Sequence, residues 1–212
     1  SVIAEPSNMD VVLVGKDEKG KSVVLFLESK FSEYYTSASY KSEGISIAYE
    51  NNEFSSKFYE DSFLNKLGII KETDGNGIRL KSKNKFYITG IKQMISHYIG
   101  IRNSLNNKFI TEGVSKSHTN VVNLIKNGAD IILAEILFDK IIGDLETGSE
   151  QTCLGLYSQA YEILARKFNE EIDMAGLSNR FVVLNHELKY SCFKSKGHSI
   201  EPEIKEFYNI CR

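Results

Sequence analysis

A hairpin that ends in charge constrains this chain more than any other stretch. Asp10-Val-Val-Leu-Val-Gly15 and Ser22-Val-Val-Leu-Phe-Leu-Glu-Ser-Lys-Phe31 flank Lys16-Asp-Glu-Lys-Gly-Lys21, a polar turn with a glycine. That pattern predicts two antiparallel strands. Side chains alternate along a strand, so Val24, Phe26, Glu28 and Lys30 share one face, while Val23, Leu25, Leu27, Ser29 and Phe31 share the other. With Val12 and Val14 apolar as well, both faces of the hairpin call for cover. Ionised groups leave water at high cost, so Glu28 and Lys30 need a purpose there. The alternative is an edge strand whose Glu28 and Lys30 face water, with Asp10 capping a loop.

Register decides what the charge can do. Pairing Lys16 with Ser22 sets Asp10 opposite Glu28, and a register one residue away sets it opposite Leu27. Opposed residues hold their Cβ atoms about 5 Å apart, and like charges there are destabilising. Two carboxylates that close require a cation between them or a proton on one of them. A hard divalent ion with oxygen ligands meets that need, and magnesium typically takes one or two carboxylates plus substrate phosphate.

Asp10, followed after a hairpin by Glu28-Ser29-Lys30, resembles the PD-(D/E)xK nuclease superfamily, with Met9 in place of the proline. The resemblance implies a restriction-endonuclease-like fold and a nuclease acting on DNA. It implies that Asp10, Glu28 and the main-chain carbonyl of Ser29 ligate Mg2+ or Mn2+. Lys30 would position or polarise the attacking water and stabilise charge on the phosphorane. In part of the superfamily the helix after the core strands carries Gln-x-x-x-Tyr near the site. Gln93 matches, but His97 stands four residues on and Tyr98 follows it. His97 would then bind a phosphate oxygen or assist the leaving group; otherwise it is a hydrogen-bonded helix histidine.

The rest of the chain supplies a setting. At 212 residues and 42% hydrophobic, it can bury a full core as one domain, residues 1–212, with an irregular insertion at 32–85. A net charge of −2 argues against a stoichiometric nucleic-acid coat and leaves room for a nuclease with an acidic site. Cys153, Cys192 and Cys211 show no C-x-x-C spacing and fit reduced thiols in the cytoplasm. No apolar run reaches membrane-spanning length and no signal peptide is visible, so no membrane partner is expected. The chain opens on Ser1, which suggests a trimmed amino terminus; Glu5, beside Pro6, is the nearest further acid.

Aromatic residues crowd 34–63 and either pack a loop-rich segment or stack on bases, and Lys81, Lys83 and Lys85 alternate along one edge. Helices are expected over 90–105, 116–126 (stopped by Asn127-Gly128) and 150–171, with strands over 130–138 and 180–184. Strand, helix, strand is the grammar of a parallel crossover. The fold class expected is therefore α/β, a mixed central sheet with an antiparallel catalytic hairpin, a parallel β-α-β crossover and helices on both faces. Glu135, inside the 130–138 run, is a second catalytic candidate, or else a surface or salt-bridged glutamate. His186 and Glu187 lack a third ligand at zinc spacing, and Glu201-Pro202 opens a short helix. The string Gly-x-x-x-x-Gly-Lys-Ser does occur, from Gly15 to Ser22, but it spans the hairpin turn and leads into a strand rather than a helix, so it lacks the setting of a phosphate-binding loop; no Gly-x-Ser-x-Gly elbow occurs. The rival to a nuclease is a nuclease-like scaffold that has lost catalysis and binds nucleic acid or protein; a homodimer fits either.

Overall fold

The computed structural model describes residues 9–30, 42–74, 77–83, 88–106, 116–137, 153–184 and 188–189. The hairpin forms as β1 (Val11–Lys16) and β2 (Ser22–Lys30), antiparallel, with Lys16 opposite Ser22 and Val11 opposite Leu27. Its turn is held by Asp17, whose Oδ1 accepts from the amides of Lys19 at 2.9 Å and Lys21 at 2.7 Å. Gly20 takes a φ of 81° there, a backbone setting that favours glycine.

The next segment departs from expectation. Residues 42–82 hold a second, three-stranded antiparallel sheet ordered β3-β5-β4, built from β3 (Ser42–Ile45), β4 (Ile69–Asp74) and β5 (Gly77–Ser82). Short helices α1 (Ile47–Glu50) and α2 (Asp61–Lys66) and a single 3-10 turn (Ser56–Phe58) link β3 to β4. Period-two burial explains the strands: Ile78 and Leu80 point inward while Arg79 and Lys81 are exposed. The expected basic edge is engaged locally, Lys81 with Glu72 at 2.5 Å and Lys83 with Asn65 at 2.8 Å. Lys85 lies outside the described residues, as do Glu5, Phe31, residues 34–40, Cys192, Cys211, His186, Glu187 and Glu201-Pro202.

After this come α3 (Thr89–Leu105), α4 (Lys116–Lys126), β6 (Asp130–Leu137), α5 (Cys153–Met174), β7 (Phe181–Val183) and β8 (Leu188–Lys189). Gly128, at φ 90°, ends α4 as its sequence suggests: its amide reaches the Ile125 carbonyl at 3.1 Å. The crossover forms as expected. β2, β6 and β7 run parallel in the order β1-β2-β6-β7, and β8 also pairs with β6. The chain is thus α/β, with a mixed sheet and helices. No described helix is long and apolar enough to cross a membrane.

One hydrophobic cluster joins both sheets to α3, α4 and α5. From the mixed sheet it takes Val24, Phe26, Ile131, Leu133, Phe181 and Val183, which the registers put on one face. Tyr98 of α3 stacks on Phe168 of α5 at 4.4 Å and lies 6.0 Å from Phe181 of β7, so the helices close on that face. Asn169 of α5 serves as a substitute strand for β7. Its side chain donates to the Val183 carbonyl at 2.7 Å and accepts from the Val183 amide at 2.8 Å. β1 corrects a further expectation: Val11 to Val14 are exposed by 38–53%. The hairpin is therefore covered on the β2 face that carries Glu28, while β1 is open on both faces, because it takes no part in the core cluster.

Candidate active site

The buried face of β2 changes character halfway along. Val24 and Phe26 meet hydrocarbon; the next two positions on the same face are Glu28 and Lys30, 1% and 3% exposed. Lys30 Nζ donates to Glu28 Oε1, and to Gln93 Oε1 at 2.7 Å. His97 Nε2 lies 3.0 Å from Glu28 Oε2, so both carboxylate oxygens of Glu28 are engaged. Gln93 and His97 are four apart on α3 and project from one face of it. The helix therefore lies over β2 with Gln93 at the Lys30 end and His97 at the Glu28 end. Gln93 accepts from Lys30, His97 is hydrogen-bonded to Glu28 from its place on the helix, and the tyrosine at 98 turns instead into the core.

Burial by itself would push the Glu28 carboxyl up. Hydrogen bonds from His97 and Lys30, together with their charge, outweigh it and hold Glu28 below the ordinary value of 4.5. Glu28 is thus kept as a carboxylate in a site where a lone one would take up a proton.

Asp10 is bonded to Ser29, whose side chain lies on the face of β2 opposite Glu28. The hairpin register continued one step past Val11–Leu27 sets Asp10 opposite Glu28. Asp10 is exposed, and its Oδ2 accepts from the Ser29 amide at 2.8 Å and the Ser29 hydroxyl at 3.0 Å. It closes the end of β2 where β1 has run out. The edge-strand alternative does not hold for Glu28 and Lys30, which are buried on a strand flanked by β1 and β6, and Asp10 bonds to Ser29 of β2 rather than capping a loop.

The donors fit a hard cation in kind: two carboxylates and the Ser29 carbonyl are oxygen ligands of the sort magnesium takes. They are few, and the rest of a coordination sphere would fall to water and phosphate. Among the described residues, no group of three or more His, Cys, Asp or Glu side chains is gathered as a metal cluster. A cation engaging Glu28 would do so in exchange for Lys30 or His97, which now hold its oxygens.

Two residues enter that the sequence did not connect. β2 and β6 pair in parallel with Glu28 beside Glu135, so both carboxylates lie on the same buried face. Glu135 is fully buried, and Tyr157 of α5 donates to its Oε1 at 2.6 Å. The signal for Glu135 was a charge within an apolar run, as for Glu28. Tyr157 carried none, since its position on α5 reads as ordinary core.

No protein-family model, curated protein or solved structure matches the chain.

Proposed function

We propose that the chain is a metal-dependent phosphodiester hydrolase acting on DNA, of the PD-(D/E)xK type with a restriction-endonuclease-like core. One observation carries the reading: Glu28 and Lys30 are buried together beside the Asp10–Ser29 strand end, and α3 lays Gln93 and His97 onto them. A buried structural ion pair would also need partners such as Gln93 and His97; the exposed Asp10 carboxylate at the same strand end is what favours a site over a structural pair.

Asp10, Glu28 and the Ser29 carbonyl are the groups that would hold Mg2+ or Mn2+. Such an ion, when bound, neutralises charge on a phosphate and makes water a better nucleophile. Lys30 contributes a compact positive charge where negative charge grows on the phosphate, and it orients the attacking water. Gln93 restrains the Lys30 ammonium, and His97 restrains the Glu28 carboxylate. Pre-set donors of this kind lower the barrier because they need no reorganisation during the reaction. Magnesium-dependent cleavage of a DNA substrate tests the reading. Lys30→Ala and Asp10→Asn should each abolish it while circular dichroism stays native; cleavage persisting in both would sink the assignment.

A second reading has its own support. Glu28 is balanced by Lys30 and His97 without any cation, as a nuclease-like scaffold that only binds nucleic acid or protein would require. Calorimetry with Mn2+ separates the two: the hydrolase binds the ion and loses that binding in Glu28→Gln, whereas the scaffold shows no such heat in either protein.

A further inference from the structure

We infer that Tyr157, held by Glu135, is the positioning residue that sets how deeply α3 sits on the sheet and thereby where Gln93 and His97 meet Lys30 and Glu28. Its consequence for catalysis rests on the hydrolase reading; its geometry does not.

Gly90, Gln93 and His97 fall at i, i+3 and i+7 of α3, one stripe of the helix. Each member of the stripe has a counterpart below. His97 meets Glu28, Gln93 meets Lys30, and Gly90 meets the Tyr157 hydroxyl. The last contact is the tightest. A Cβ at Gly90 would stand 2.2 Å from Tyr157 Oη, 2.9 Å from Cζ and 3.0 Å from Cε2. The helix backbone therefore rests directly on the phenol, and any side chain at position 90 would lift it.

The phenol is itself fixed. Tyr157 and Glu135 are both fully buried, and the hydroxyl donates to Glu135 Oε1 at 2.6 Å. Glu135 is the register neighbour of Glu28, so the stop that supports the start of α3 stands on the strand beside the carboxylate that α3 serves. From the second sheet, Glu43 of β3 ties down the same turn. It accepts from Thr89 Oγ1 at 2.6 Å and from Lys92 Nζ at 2.9 Å. Glu43 draws the turn in and Tyr157 limits its approach. A hydrogen bond survives only small changes in donor–acceptor distance, so the Gly90–Tyr157 contact governs both polar contacts further along the helix.

Two readouts test this: the ring-nitrogen resonances of His97, which report its hydrogen bond to Glu28 with no metal or DNA present, and kcat and KM for DNA cleavage. Gly90→Ala should shift the His97 resonances and lower kcat by on the order of 100-fold, as a displacement of about 1 Å does, with KM little changed. Gly90→Ala/Tyr157→Phe removes the 2.2 Å clash with the hydroxyl and leaves the ring carbons at 2.9 and 3.0 Å, so both readouts should return part of the way to wild type. Should Gly90→Ala not fold, the Glu135 pair decides. Glu135→Gln keeps an acceptor for Tyr157 and should disturb His97 and kcat less than Glu135→Leu does. Unmoved His97 resonances in Gly90→Ala, a double variant no closer to wild type than the single, or Gln as damaging as Leu would each overturn the inference. A wild-type chain that cleaves no DNA while the His97 shifts follow this order would fail the hydrolase reading alone.

Discussion

Two halves of one sheet face can be compared directly, because the same pair of strands builds both. In the first half, Val24 and Phe26 of β2 lie beside Ile131 and Leu133 of β6, and the helices meet them with hydrocarbon. In the second, Glu28 lies beside Glu135, and the helices meet them with His97, Gln93 and Tyr157. Burial is equally complete in both halves. The difference teaches that charge is tolerated at core depth here only where α3 and α5 change their own chemistry to match. The apolar half gains from removing surface from water. The polar half is held by partners, and each partner lost leaves a buried group exposed to its full desolvation cost.

The largest break in the comparison should come from Lys30→Met. It leaves Glu28 without its ammonium partner and should cost about 3–5 kcal/mol in denaturant unfolding. Replacing the pair together, as Glu28→Leu/Lys30→Met, should recover most of that loss, since a buried ion pair seldom stabilises more than packed hydrocarbon. A double variant as unstable as the single would show that the two halves are not held by different means.

In the apolar half, Leu133→Ala should cost about 2–5 kcal/mol, through lost transfer and the cavity left behind. The His97 ring resonances should stay close to wild type, because Leu133 lies on the hydrocarbon side of the boundary. A shift as large as that from Gly90→Ala would merge the two regions into one.

Acid separates them further. Glu28 is held below 4.5 in the folded chain, so its contribution to stability is complete above that value and is lost as pH falls through the lower, folded one. Wild type should therefore lose unfolding free energy below pH 4.5 more steeply than Glu28→Gln. Parallel curves would remove Glu28 from the account of acid stability.

The smallest effect belongs to a pair outside both regions. Lys81 and Glu72 are 45% and 47% exposed, and Glu72→Ala should change stability by less than about 1 kcal/mol. A larger loss would mean that exposed and buried pairs are not distinguished in this fold.

These contrasts also mark how far the chain could be read before folding. The hairpin, its Lys16–Ser22 register and the β6–α5–β7 crossover were legible, because turn chemistry and apolar runs are local. α3 and α4 were legible from helical spacing and from the Asn127-Gly128 stop. The sheet of β3, β4 and β5 was not: its strands are short, and charged Lys71, Glu72, Arg79 and Lys81 masked an alternation that Ile69, Ile78 and Leu80 carry. The nearness of Glu28, Lys30 and Gln93 could be expected because the strand and the helix each announce their polar residues. Glu135 beside Glu28 could not, since that neighbourhood depends on the register of two parallel strands about 100 residues apart in the chain. The Gly90–Tyr157 contact was hidden for the same reason: it belongs to how two helices lie on the sheet.

In the proposed hydrolase, the charge at the end of β2 serves phosphodiester hydrolysis. The most direct test is DNA cleavage by wild type and Asp10→Asn across a magnesium titration. Asp10 is exposed, so that substitution spares the core. Cleavage that rises with magnesium in wild type and is absent from folded Asp10→Asn is the predicted result. A wild-type chain inert at every magnesium concentration, or an Asp10→Asn chain that cleaves as well, would contradict it.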